Sequence, residues 1–246
     1  MNGRHERKNR ILIVALLGAA LLAGAGCGGF SEQLKSRLNR ATGADTGLDA
    51  ATIAAGLREA LEQGCTRAVQ QLGRENGFWS HPTLRIPVPE NLKRIDAGLR
   101  RLGQGRIADD FSRSLNRAAE QATPAARRIF GDAIRGLTIK DAFDILRGPP
   151  DAATTYFRQR TEARLKAAFL PVVTSATGAV GVTATYKRLI ARAAPLGLAD
   201  TTALDIDEYV TRRALESLFE LIADEEGRIR ADPAARTTQL LREVFG

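Results

Sequence analysis

Cysteine and histidine are scarce: the chain has two of each, Cys27 and Cys65, His5 and His81. That excludes a disulfide framework, and no His/Cys spacing matches a zinc ligand set, so neither a metal nor another cofactor is expected. Aromatic residues make up only 5% of the chain, with a single tryptophan, Trp79. Runs of β-branched residues are few as well, which weighs against sheets. No dense Lys/Arg block interleaved with aromatics occurs, so no nucleic-acid partner is expected. Long hydrophobic runs are also missing. The longest, residues 11–23, falls short of the roughly 20 apolar residues a permanent membrane span needs, and Gly24 to Phe30 extends it only marginally. Nor does any nucleophile stand at recognisable spacing from a base.

What is present is alanine in quantity, the best helix former, within 246 residues that are 44% hydrophobic and 26% charged. Such a chain buries one sizeable core without staples. Charge is uneven at the start. Arg4, Arg7, Lys8 and Arg10 against Glu6 give the first ten residues a net +3, which leaves +5 of the whole chain's +8 for the remainder. This mild excess favours anionic partners without choosing among them.

The basic segment 1–10, the apolar run ILIVALLGAALLA (11–23) and the small residues Gly24-Ala25-Gly26 before Cys27 follow the order of a secretory leader. The last four resemble the lipobox of bacterial lipoproteins. Ala25, Gly26 and Cys27 match its final positions, while Gly24 stands where Leu is usual. The resemblance implies a signal peptide over 1–26 and lipidation at Cys27, a thioether to diacylglycerol carrying fatty acyl chains such as palmitate. The body would then be held at a membrane through its lipid anchor in the cell envelope. In a diderm host Gly28, not Asp, after the cysteine implies the periplasmic face of the outer membrane. Cleavage by the general signal peptidase, or an uncleaved anchor, is the competing reading.

Residues 27–47 are Gly-rich and polar and read as the lipidated cysteine and a flexible tether. From 48 to 246 the text is helical, and the expected fold is all-α, an irregular multi-helix bundle of eight to ten helices. Asp49 is placed to cap a first helix whose apolar stripe is Ile53, Leu57, Leu61, Cys65, Ala68 and Leu72, which makes Cys65 a buried, inert thiol. Pro82, Pro87 and Pro89 exclude a helix across the segment that holds Trp79 and His81, and His81 reads as structural. Over 90–102, Leu92, Ile95, Leu99 and Leu102 form one face, and Lys93, Arg94, Arg100 and Arg101 form a cationic stripe opposite. These four are the candidate ligand-binding residues, facing solvent alone or an anionic lipid, glycan or envelope protein.

Further along, Ile107, Phe111, Leu115 and Ala119 mark a helix reaching Pro124, and Phe130 and Ile134 another ending at Gly136. Thr138-Ile-Lys-Asp141 reads as a capping box before Phe143 and Leu146. After Gly148-Pro149-Pro150, Asp151 is placed to cap a long helix through Ala153, Phe157, Leu165 and Phe169, interrupted or kinked at Pro171. A turn is expected at Gly178 and Gly181, then a helix over Val182 to Ala193, and a last long one capped by Asp205 with Glu208. Asn116 and Glu120, one helical turn apart, read as a buried hydrogen-bonded pair rather than a catalytic one.

The phrases AAGLREALEQG (54–64), NGFWSHPTLRIPVPENL (76–92), SLNRAAEQA (114–122), GPPDAATTYF (148–157), DEYVTRRALESLFELIADEE (207–226) and DPAARTTQLLREVFG (232–246) resemble the bacterial family catalogued as domain of unknown function 4197. The resemblance implies an envelope protein and no particular activity. The expected function is a non-catalytic binding or structural role at the periplasmic membrane face. The alternatives are a hydrolase or lyase acting on envelope polymers with Asp, Glu and Tyr drawn from separate helices, and a carrier of an apolar ligand between helices. Convergent carboxylates in the largest cavity would favour the enzyme, a deep apolar pocket the carrier.

Overall fold

The first helix, α1 (Ala50–Gly73), starts where Asp49 accepts the Thr52 N–H at 2.8 Å, and it buries Ile53, Leu57, Leu61, Cys65, Ala68 and Leu72 along one stripe. The computed structural model describes residues 49–179 and 205–232 without a break, with Pro195, Ala235, Thr238, Gln239, Arg242 and Val244 as single positions. The expected leader, Cys27, the tether, the turn at Gly181 and the helix over 182–193 lie outside the described residues. Among those described, every regular element is helical and there is no strand. The described helices belong to one unit, Thr46–Gly246.

After α1 comes an irregular segment, then a 3₁₀ turn (Glu90–Leu92) and the short α2 (Lys93–Arg101), which pins Ile95 and Leu99 in the core. Leu102, expected on that buried face, is 54% exposed instead. The helix has ended at Arg101, and the chain turns through Gly103 at φ 73°, so Leu102 leaves the helical register. The central helix is α3 (Gly105–Ala122), buried on nearly every side and touching α1, α2, α6 and α7. A 3₁₀ turn holding Pro124 leads into α4 (Ala126–Arg135).

The Thr138 and Asp141 side chains exchange both bonds of a capping box at the start of α5 (Ile139–Arg147). The core-facing residues there are Ala142 and Ile145, whereas Phe143 and Leu146 are half-buried, one position off the expected face. The longest element, α6 (Ala152–Ala179), runs unbroken through Pro171, and Gly178 lies inside it rather than in a turn. Phe169, Val173 and Ala176 stay buried on both sides of the proline, so packing holds the segment helical. The last described helix, α7 (Ile206–Ala231), is capped by Asp205, which accepts the Glu208 N–H at 3.0 Å.

The most extensive helix pair is α6 with α7; α3 lies against α6, and α1 against α7 and α4. Six phenylalanines, Phe78, Phe111, Phe130, Phe157, Phe169 and Phe219, are fully buried. Phe130 meets Phe157 and Phe219 edge to face at 5.8 and 6.1 Å, the arrangement ring quadrupoles favour. The start of α6 is capped from another helix. Ala153 and Thr154 donate their N–H groups to the Glu226 carboxylate at 3.0 and 2.9 Å, while Asp151, expected in that role, is exposed and offers only its backbone carbonyl to Thr155.

Candidate functional site

The segment 74–89 has no helix ladder of its own, so its backbone polar groups need other partners wherever they are buried. Side chains of α3 and α7 supply them. Asn116, fully buried, accepts the Ile86 N–H at 2.8 Å and donates to the Ile86 carbonyl at 3.0 Å. Glu120 accepts from the N–H groups of Phe78 and Trp79 at 3.2 and 3.4 Å, and its other oxygen meets Arg117 at 3.3 Å. The expected Asn116–Glu120 pair is therefore replaced by two separate clamps on one loop, because the loop's orphan groups are the stronger claim. From α7, the Ser217 hydroxyl donates to the Leu84 carbonyl and the Tyr209 hydroxyl to the Pro87 carbonyl. His81 has the expected structural role: its Nδ1 accepts the Leu84 N–H at 3.2 Å. Gly77 is required by this close approach, since a Cβ there would sit 2.6 Å from the Leu72 carbonyl oxygen.

With Phe78, Leu84 and Ile86 sunk in the core, the loop presents Trp79 and Arg85 outward. The Arg85 guanidinium carbon lies 3.3 Å from the Trp79 ring centroid, and that of Arg113 on α3 lies 5.2 Å away. Both are cation–π distances. Asp109, Arg113, Asn116 and Glu120 share one face of α3 at spacings of four, three and four. The same face thus bolts the loop down and adds a cation beside it. Loss of water against the ring lowers the Arg85 pKa from the ordinary guanidinium value; Asp109 opposes this, and Arg113 and Arg100 add to it. These groups form one electrostatic neighbourhood.

Arg100 belongs to the sequence-predicted stripe and connects it to this neighbourhood. It bonds Asp96 at 3.0 Å and Asp109 at 2.7 Å, and both carboxylates raise its pKa. Lys93 is likewise held, by Glu90 at 2.5 Å. Arg94 and Arg101 are exposed and, among the described residues, have no carboxylate within ion-pairing distance. All four residues lie on the surface of α2, two of them already partnered. Arg85, Arg113 and Trp79 were missed in the sequence reading; the signal was the polar row Asp109, Arg113, Asn116 and Glu120 along one helix face.

Two recesses bear on the alternative chemistries. A groove of about 770 Å³ between α6 and α7 holds Glu162, Glu208 and Glu216, but each is paired: with Arg158 at 3.6 Å, Lys166 at 3.0 Å, and Arg212 and Arg213 at 3.0 and 2.6 Å. The apolar cavity beside Cys65, between α1, α6 and α7, measures about 20 Å³, room for about one water. Among the described residues no cluster of His, Cys, Asp or Glu has the arrangement of a metal site, and no helix is long and apolar enough to cross a membrane.

Residues 47–246 match the model of a family described as protein of unknown function, DUF4197. Neither a curated protein nor a solved structure matches the chain.

Proposed function

From a chain that belongs to the DUF4197 family, whose description carries no activity, we propose a cell-envelope lipoprotein with a non-catalytic helical body that rests on the anionic lipid surface next to its own anchor. The observation that carries the reading is the cationic face of α2, where Arg94 and Arg101 are exposed with no carboxylate partner among the described residues while Ile95 and Leu99 fix the helix to the core. Lipidation at Cys27 would place that face beside headgroups. If the polar, Gly-rich composition of 27–47 gives a flexible tether, it would reach about 25 Å, and the surface would meet the membrane at high effective concentration, so that weak contacts would suffice. Each cation near an anionic leaflet contributes about 1 kcal/mol. A glycan or a soluble partner enjoys no such proximity.

The alternatives have less support. A hydrolase needs a carboxylate free to move a proton; in the α6–α7 groove Glu162, Glu208 and Glu216 are tied to cations and Asp205 caps α7. A carrier needs volume, and the apolar cavity has almost none.

The test is binding of the chain lacking residues 1–27 to vesicles of phosphatidylglycerol mixed with phosphatidylcholine. Binding at low salt that fades over the range where the Debye length shrinks from about 10 to 3 Å is expected. Arg94→Glu with Arg101→Glu is expected to remove most of it, and adding Lys93→Glu to remove little more, because Glu90 already compensates that charge. Equal binding by wild type and a variant with Lys93, Arg94, Arg100 and Arg101 all changed to Glu would overturn the reading.

A further inference from the structure

The Trp79 neighbourhood is more than an extension of the α2 face. Arg113 and Arg100 both act on the Arg85 guanidinium, and the carboxylate that opposes them there, Asp109, is already bonded by Arg100. Among the described residues neither Arg85 nor Arg113 reaches a carboxylate, and both lie over the same indole. Like charges gathered so closely repel unless an anion joins them. Stacking also dictates the direction of the donors: a guanidinium held flat on a ring leaves its in-plane N–H groups at the edge, the geometry that meets a phosphate with two parallel bonds.

The scaffold beneath is built to hold still. The backbone on one side of Trp79 is fixed by Glu120, the turn after it by His81, and the residue after Arg85 by Asn116, all within hydrogen-bond distance. Arg113 stands on the same face of the helix that supplies Asn116 and Glu120. A fork mounted on a rigid loop, with a cation of the central helix at the same indole, loses little freedom when an anion arrives.

We propose that Arg85 and Arg113, aligned by Trp79, form a clamp for one phosphate group, supplied in the reading above by an anionic lipid headgroup. This rests on the membrane-surface reading for its source but not for its chemistry. The clamp would convert a diffuse electrostatic contact into one with a preferred orientation, since the α2 face supplies attraction and the clamp a single fixed point.

Trp79 is the only tryptophan, so its fluorescence reports on this site alone. The full chain in neutral detergent is titrated with inorganic phosphate, with sodium chloride at matched ionic strength, and with micelles doped with phosphatidic acid or with phosphatidylcholine. A saturable change with phosphate that chloride does not reproduce is expected. Arg85→Ala and Arg113→Ala should each raise its midpoint at least tenfold, and Arg85→Lys, which keeps the charge but not the fork, several-fold. Far-UV circular dichroism checks that the variants remain folded, and line broadening of the ³¹P resonance gives a readout independent of any baseline change in the indole. Identical curves for chloride and phosphate, or an unchanged midpoint in the Arg85→Ala, Arg113→Ala double variant, would overturn the clamp. A response to phosphatidic acid at lipid phosphate concentrations where free phosphate does nothing supports the headgroup source. A stronger response to free phosphate supports the clamp while removing its link to the membrane. Vesicle binding through Arg94 and Arg101 without any phosphate response defeats the clamp and leaves the surface reading standing.

Discussion

Arg230 and Glu226, one turn apart on α7, join the end of α5 to the start of α6. The Arg230 guanidinium donates to the Ile145 carbonyl at 2.8 Å and to Glu226 at 2.9 Å, and Glu226 in turn accepts the N–H groups of Ala153 and Thr154. Helix termini leave backbone groups without partners, negative at the carboxyl end and positive at the amino end. A cation at the first and a carboxylate at the second satisfies both, and the ion pair between them holds the Gly148-Pro149-Pro150 corner closed.

Glu226→Ala is therefore expected to destabilise the fold by about 3 kcal/mol, the lower range for breaking a buried pair, because the Arg230 side chain is 19% exposed against 6% for Glu226. Replacing a buried ion pair by apolar residues often restores stability, but here it should not. Glu226→Leu with Arg230→Met leaves the Ala153 and Thr154 N–H groups unpaired and takes the Arg230 donors from the Ile145 and Leu146 carbonyls. Urea unfolding of the two variants decides the matter. A double variant as stable as wild type would show that the helix ends need no partners.

Burial pushes the Cys65 thiol up to about 12 from an ordinary value of 9.0. The native protein should accordingly resist alkylation at pH 8, with labelling that follows unfolding. The folded state favours the neutral thiol, so its contribution to stability is complete below pH 9 and is lost as pH rises from about 9 towards about 12, by about 1.4 kcal/mol per unit. Cys65→Ala should flatten that part of the pH profile. Rapid stoichiometric labelling of the native chain, followed by mass spectrometry, would contradict this.

Local signals are enough to place most of the described helices, and distance in the chain explains the misses. The Asp49 cap and the Thr138–Asp141 box are decided within four residues and were legible as such. The cap of α6 was not, because Glu226 lies 72 positions from Thr154 and only packing brings it there. Asn116 and Glu120 were recognised as buried and polar, yet their partners belong to a loop about 30 and 41 positions upstream. The site divides the same way. The α2 stripe is a periodicity within nine residues, whereas the Arg85–Trp79–Arg113 stack joins a loop to a different helix and has no single-segment pattern.

Lipidation at Cys27 is the expectation raised by the basic start, the apolar run of 11–23 and the small residues before the thiol. Mass spectrometry of the N-terminal peptide from membrane-purified protein should find residues 1–26 absent and Cys27 bearing diacylglycerol. An unmodified Cys27 would overturn the lipid anchor, and cleavage at another bond would also separate the helical body from the membrane and remove the proximity on which its proposed role depends.

Two glycines to alanine should move stability in opposite directions. At Gly148 a new Cβ would stand 2.6 Å from the Ala152 Cβ and 2.8 Å from the Asp144 carbonyl oxygen. Neither neighbour can yield without opening the α5–α6 corner that Arg230 and Glu226 hold, so Gly148→Ala should lower the melting temperature by several degrees. At Gly227, within α7, nothing lies within 4 Å of the added atom, and the helix gains the roughly 1 kcal/mol by which alanine exceeds glycine in propensity. Gly227→Ala is thus expected to raise the melting temperature by a few degrees. Since Gly227 adjoins Glu226, a loss of stability there instead would mean that the clamp needs backbone freedom in α7, and Glu226 would then hold α6 by adjustment rather than by fixed geometry.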